Sequence, residues 1–169
     1  PIEMAVRHIT LVMEKEYGIK YTHLLILQNS NPIREPNFLN NLIILNQLFE
    51  DVTTSLTIHK VEHNHPDLCF KLNKSMNGME RYNLSLDYRR QDREVLYAYN
   101  GVGYVVKRDY LIQGGNIISG NINGLLIPYH YSFDIHNEPD IQIVEAMLHF
   151  HGLTNRVNDY YANYPKNYY

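Results

Sequence analysis

The chain has 169 residues, 15 Lys and Arg against 18 Asp and Glu, and a net charge of -3. That length suits one domain, and the balance of charge gives no basic footprint for duplex nucleic acid. One cysteine, Cys69, excludes an internal disulfide framework and a cysteine-rich zinc site. Without a signal peptide or a membrane-length apolar run, an intracellular, cytoplasmic setting is expected, the inside of an infected cell included. The chain opens on Pro1, as an excised or trimmed piece would.

Ile2, Ala5, Ile9, Val12 and Met13 fall at helical spacing and predict a helix over 2–16, with Gly18 as its stop. Leu24-Leu25-Ile26-Leu27 predicts a buried strand, which Asn29-Ser30-Asn31-Pro32 breaks. Pro36 opens a second helix reaching about Asp51, with a stripe of Phe38, Leu39, Leu42, Leu45, Leu48 and Phe49.

The period then changes to two. Strands are expected over 56–62, 68–72, 81–89, 94–99, 102–108 and 125–136. In the 81–89 segment Tyr82, Leu84, Leu86 and Tyr88 should be buried, with Asn83, Ser85 and Asp87 opposite. Asn100-Gly101 reads as a hairpin turn between two strands. Residues 139–151 fit a helix started at Asn137-Glu138-Pro139-Asp140 and stopped at Gly152, or a short strand over 146–151. The fold class is α+β: a single domain, 1–169, with a mainly antiparallel sheet of about five to seven strands, two N-terminal helices and a C-terminal helical segment.

Four groups of residues suggest chemistry. On a strand over 125–136, His130, Ser132, Asp134 and His136 share one face, opposite Tyr129, Tyr131, Phe133 and Ile135. Such a face can move protons, because imidazole titrates near neutrality and a carboxylate can fix its tautomer. It is equally what a solvated sheet face contains. His59, His63 and His65 share parity on an extended chain and could meet a metal ion, or simply make a polar loop.

His149-Phe150-His151 resembles the His–hydrophobe–His strand of replication initiators, relaxases and related transposases. That resemblance implies a divalent metal ion on His149 and His151, with Tyr160, Tyr161 or Tyr164 as attacking residue. On a helix the two imidazoles would instead point about 200° apart. His8-Ile9-Thr10 and His130-Tyr131-Ser132 resemble the paired His-x-Thr/Ser triplets of the two-histidine phosphoesterases. Leu68-Cys69-Phe70 suggests a core thiol.

Two functions follow as expectations. The first is a phosphodiester-cleaving, nuclease-like hydrolase acting on single-stranded nucleic acid. Its site would be His130, Ser132, Asp134 and His136, aided by a divalent metal, with Arg81, Arg89 and Arg90 neutralising phosphate. The second is a non-catalytic viral or mobile-element module that dimerises or binds a protein through its Tyr-rich C-terminus, where five of the last ten residues are Tyr.

Overall fold

A computed structural model describes residues 2–62, 64–73, 75, 77–82, 89, 91 and 93–152. Among them run α1 (Ile2–Tyr17), β1 (His23–Ile26), α2 (Pro36–Leu48), β2 (Thr54–Lys60), β3 (Phe70–Leu72), β4 (Met79–Arg81), β5 (Tyr97–Lys107), α3 (Arg108–Ile112), β6 (Ile122–Leu126) and α4 (Glu138–Phe150). The class is α+β, but the sheet departs from expectation. It is a mixed sheet of four strands in the order β1-β5-β2-β6, beside a separate pair β3-β4. β5 is antiparallel to both of its neighbours, whereas β6 is parallel to β2. Thus β1, β2 and β6 all run the same way. Parallel strands need long crossovers, and α2 supplies the one between β1 and β2. A period-two pattern carries no strand direction, so the short strands read as a meander.

The core lies where α1 meets one sheet face. Ile26, Leu56, Tyr104, Val106, Leu111 and Ile117 are buried there, with Val6, Leu24 and Tyr110 packed against them. Arg7 ties α1 to α3 by donating from Nε to the Leu111 carbonyl and from Nη2 to that of Gly115, both at 2.6 Å. On the opposite face α2 buries Leu42 completely, and Asn46 Nδ2 donates to Ser55 Oγ at 2.9 Å.

Residues 138–150 are helical, and the start is secured by a capping box. Asp140 N donates to Asn137 Oδ1, while Asp140 Oδ2 accepts from Asn137 N at 3.0 Å and His136 N at 2.8 Å. Asn137→Ala should therefore cost about 1 kcal/mol and lower the melting temperature by roughly 2–4 °C. A calorimetric scan that matches wild type would show that the cap contributes nothing.

Two expected elements take another form. Asn100-Gly101 does not turn a hairpin: residues 97–107 are one strand. Between the pairs Leu56↔Tyr104 and Ile58↔Tyr99 the register shifts, because β5 spends four residues where β2 spends one. The result is a wide bulge over Asn100–Gly103, opposite Thr57. The 125–136 segment leaves the sheet after Leu126. Pro128, without an N–H, cannot extend the ladder, and it precedes a 3-10 helix over Tyr129–Tyr131. Tyr82 is 68% exposed rather than buried. Residues 83–88, Arg90 and the Tyr-rich tail lie outside the described residues. Cys69 is exposed and not a core thiol. No described helix is long and apolar enough to cross a membrane.

Candidate functional site

The carboxyl ends of parallel strands, where the chain leaves a sheet, are where α/β sheets place ligands. Here β1 leads into Gln28 and Asn31, β2 carries Thr57 and His59, and β6 leads into Tyr129, Phe133 and Asp134. The bulge of β5 lies between them. Thr57 Oγ1 donates to Asn100 Oδ1 at 2.6 Å and accepts from Gly103 N at 3.1 Å, filling the gap in the ladder. Asn100 Oδ1 also accepts from Val102 N at 3.3 Å.

The loop after β1 is bound to the bulge and to the loop after β6. Gln28 N donates to the Gly101 carbonyl at 3.2 Å, and Ile135 N to that of Ser30 at 2.9 Å. Asn31 Nδ2 donates to the Phe133 carbonyl at 3.0 Å. Arg34 donates from Nε to the Val102 carbonyl at 3.0 Å and from Nη2 to that of Gln28. This guanidinium is consumed by backbone, so it is a brace for the site.

Two oxygens are left over. Asn31 Oδ1 and Asp134 Oδ1 are buried and have no hydrogen-bond partner among the described residues. Gly101 makes room for the first: a Cβ there would lie 1.8 Å from Asn31 Oδ1 and 2.0 Å from Gln28 Oε1. Two side-chain carbonyl oxygens thus converge over a position without a side chain. Beside them is a recess of about 160 Å³ whose lining includes Ile26, Gln28, Tyr99, Tyr104, Ile117 and Ile118. Burial, then Tyr99 and Asp134, push the Tyr104 hydroxyl up to about 12, so it keeps its proton. His59 stands against the Tyr129 ring at 5.3 Å with Nδ1 3.4 Å from Asn100 Nδ2. Burial holds its pKa below the usual imidazole value, favouring the neutral ring.

The expected site residues do not gather at one point. Their shared face required a strand, and a 3-10 helix followed by a loop turns the side chains in different directions. His130 stacks on His151, centroids 4.7 Å apart. Ser132 Oγ donates to the Tyr129 carbonyl at 2.5 Å. Asp134 Oδ2 is 3.1 Å from Nε2 of His136, an imidazole that is 74% exposed. Of the four, Asp134 carries the unpartnered oxygen.

His149 is in the last turn of α4 and His151 is its C-cap, so the helical alternative applies and the pair diverges. His65 is engaged elsewhere, with Nδ1 3.2 Å from Asp67 Oδ2 and Nε2 3.1 Å from the Glu94 carbonyl, and His63 lies outside the described residues. Among those residues no three His, Cys, Asp or Glu gather as a metal site. Arg81 stands over the Phe70 ring at 5.9 Å, on the β3-β4 pair, and His8 is exposed on α1. Gln28, Asn31, Thr57, Asn100 and Gly101 were not singled out as site residues. The available signal was that two Asn-rich breaks, at 29–31 and at 100, border strands.

With this geometry, the chain is similar to a solved CMP:2-keto-3-deoxy-manno-octonic acid synthetase complexed with CTP. The TM-score is 0.55 at 13% identity, covering 83% of this chain and 67% of that one. The likeness is one of fold. No family model matches the sequence, and no curated protein matches it.

Proposed function

We propose that the recess lined by Gln28, Tyr99 and Tyr104 is a cleft that binds a hydroxyl-rich sugar acid or its nucleotide-activated form, the class of compound named for the synthetase that shares this fold. The observation that carries this reading is Asp134 Oδ1, buried and without a hydrogen-bond partner among the described residues, on a carboxylate close enough to the recess-lining Tyr104 to help hold its proton. A buried acceptor without a donor costs about 1–3 kcal/mol, and such groups in native proteins call for an explanation. Sugar hydroxyls are donors that can bond side by side to a carboxamide and a carboxylate oxygen. Tyr104 adds a protonated hydroxyl, and the neighbouring recess, walled by Tyr99, Ile117 and Ile118, accepts an apolar substituent. The location beyond the carboxyl ends of β1, β2 and β6 also agrees with the general rule for such sheets.

The test is titration calorimetry with three probes: CTP, CMP and 2-keto-3-deoxy-manno-octonic acid. At least one should bind saturably at millimolar concentration or below. Asp134→Asn should weaken it about tenfold or more, the loss expected of a hydrogen bond to a charged group. Absence of saturable binding by all three, or binding indifferent to Asp134→Asn, overturns the reading. Cleavage of labelled single-stranded RNA that is lost in His130→Ala, in a protein that binds none of the probes, would replace it with phosphodiester hydrolysis.

A further inference from the structure

The loop that carries Tyr129, Phe133 and Asp134 into the cleft is fastened on its far side by aromatic rings. His151, at the end of α4, stacks on His130 at 4.7 Å and 29°, and on Tyr131 at 4.8 Å and 24°. Tyr131 meets Phe38 of α2 edge-on at 4.9 Å, and its hydroxyl is 3.4 Å from Glu35 Oε1. Three elements therefore meet: the start of α2, the 3-10 helix and the end of α4. None of these rings lines the recess beside Gln28 and Tyr104, and His130 is an imidazole that can take up a proton.

We propose that this stack is a pH-sensitive clasp on the 129–136 loop, closed while His130 is neutral and loosened when His130 takes up a proton. Neutral imidazoles stack without electrostatic penalty. A proton on His130 puts a cation into a partly buried stack against the His151 ring, which burial and the charge of His151 both oppose. His151 Nε2 is buried and has no hydrogen-bond partner among the described residues. The charged and titratable groups at the stack come from each packed element: His151 from α4, Tyr131 from the 3-10 helix, and Glu35 from the start of α2, which is engaged by the Tyr131 hydroxyl.

The sign follows from the same contacts. Burial first, and the charge of His151 second, hold the His130 pKa below its ordinary 6.5. The folded clasp then binds fewer protons than the open chain, so its stability is full above about pH 6.5 and falls as the pH drops below it. Opening would release the 129–136 loop. The regulatory meaning of this rests on the ligand-cleft reading, whereas the clasp itself does not.

Hydrogen exchange followed by mass spectrometry on the ligand-free protein tests it. After correction for intrinsic exchange, peptides spanning 129–136 should lose protection between pH 7.5 and pH 5.5, by up to about tenfold, the most that one imidazole kept neutral in the closed form can supply over that range. His130→Phe keeps an aromatic ring in the stack but cannot titrate, so its loss of protection should be clearly smaller than that of wild type, the remainder coming from His59 against Tyr129. His151→Phe should behave alike, and it serves if the first variant does not fold. Wild-type protection that is constant over this range, or the same loss in a Phe variant that folds, overturns the clasp. Because no ligand is present, failure here leaves the calorimetric test of the cleft untouched.

Discussion

Gly101→Ala should lower the melting temperature by roughly 5–10 °C and remove ligand binding from the cleft. The added methyl would lie 1.8 Å from Asn31 Oδ1 and 2.0 Å from Gln28 Oε1. Both atoms end rotatable side chains, so ease of movement decides the cost. Asn31 cannot move freely: it is fully buried, and its Nδ2 holds the Phe133 carbonyl at 3.0 Å. Turning its amide away breaks that bond and buries an unpaired carbonyl. Overpacking of this kind costs about 1–3 kcal/mol, which for a chain of this size corresponds to the stated shift. Gly103→Ala is the comparison, because its Cβ would meet Leu39 and Leu42 methyls at 3.1 and 3.2 Å, a contact that small adjustments can relieve. Differential scanning calorimetry on both variants separates the cases. If Gly101→Ala melts like wild type and binds normally, the convergence of Asn31 and Gln28 on Gly101 has no functional content.

The same few residues show what the sequence discloses. Helices were legible where apolar spacing and caps agree: Pro36 opens α2, and Asn137 with Asp140 opens α4. The strands at 23–26 and 54–60 were legible as apolar or alternating runs. Their order and direction were not, because pairing depends on contacts distant in sequence, such as β2 with β6. Asn100-Gly101 is the instructive error. That dipeptide favours a tight turn wherever the chain can close on itself, but here Thr57 and Gln28 bind the bulge from neighbouring strands. The same tolerance of unusual backbone that makes a turn also makes a bulge.

His130, Ser132, Asp134 and His136 failed to line one face for a related reason. Alternation persists in the sequence beyond Leu126, but Pro128 ends the ladder on which alternation has meaning. The bulge and its braces are amides, a hydroxyl and a glycine from the loop after β1, from β2 and from within β5, and such residues look like ordinary loop in a single sequence.

The hydroxyl that holds the bulge open gives the second large effect. Thr57→Val should destabilise the protein by about 2–4 kcal/mol although the two side chains have nearly the same volume. Thr57 is fully buried, so no cavity is created and water does not replace what is lost. Its single proton goes to Asn100 Oδ1 at 2.6 Å, and its lone pair receives Gly103 N at 3.1 Å. Valine removes both bonds. Asn100 Oδ1 retains the longer bond from Val102 N at 3.3 Å, whereas Gly103 N is left buried without an acceptor, the more costly outcome. Thr57→Ser keeps the hydroxyl and gives up one methyl, so it should cost about 1 kcal/mol. Urea denaturation should move the midpoint in the order wild type, Ser, Val, with unchanged slope. Ligand affinity should fall in the Val variant without any contact between Thr57 and ligand, because the bulge presents Gly101 to Asn31. Adding Asn100→Ala to Thr57→Val should cost much less than the two single changes together, since the residues share one bond. Equal midpoints for Val and Ser would mean that the hydroxyl does not hold the bulge, and Gly101 would then need another explanation for its place beneath Asn31.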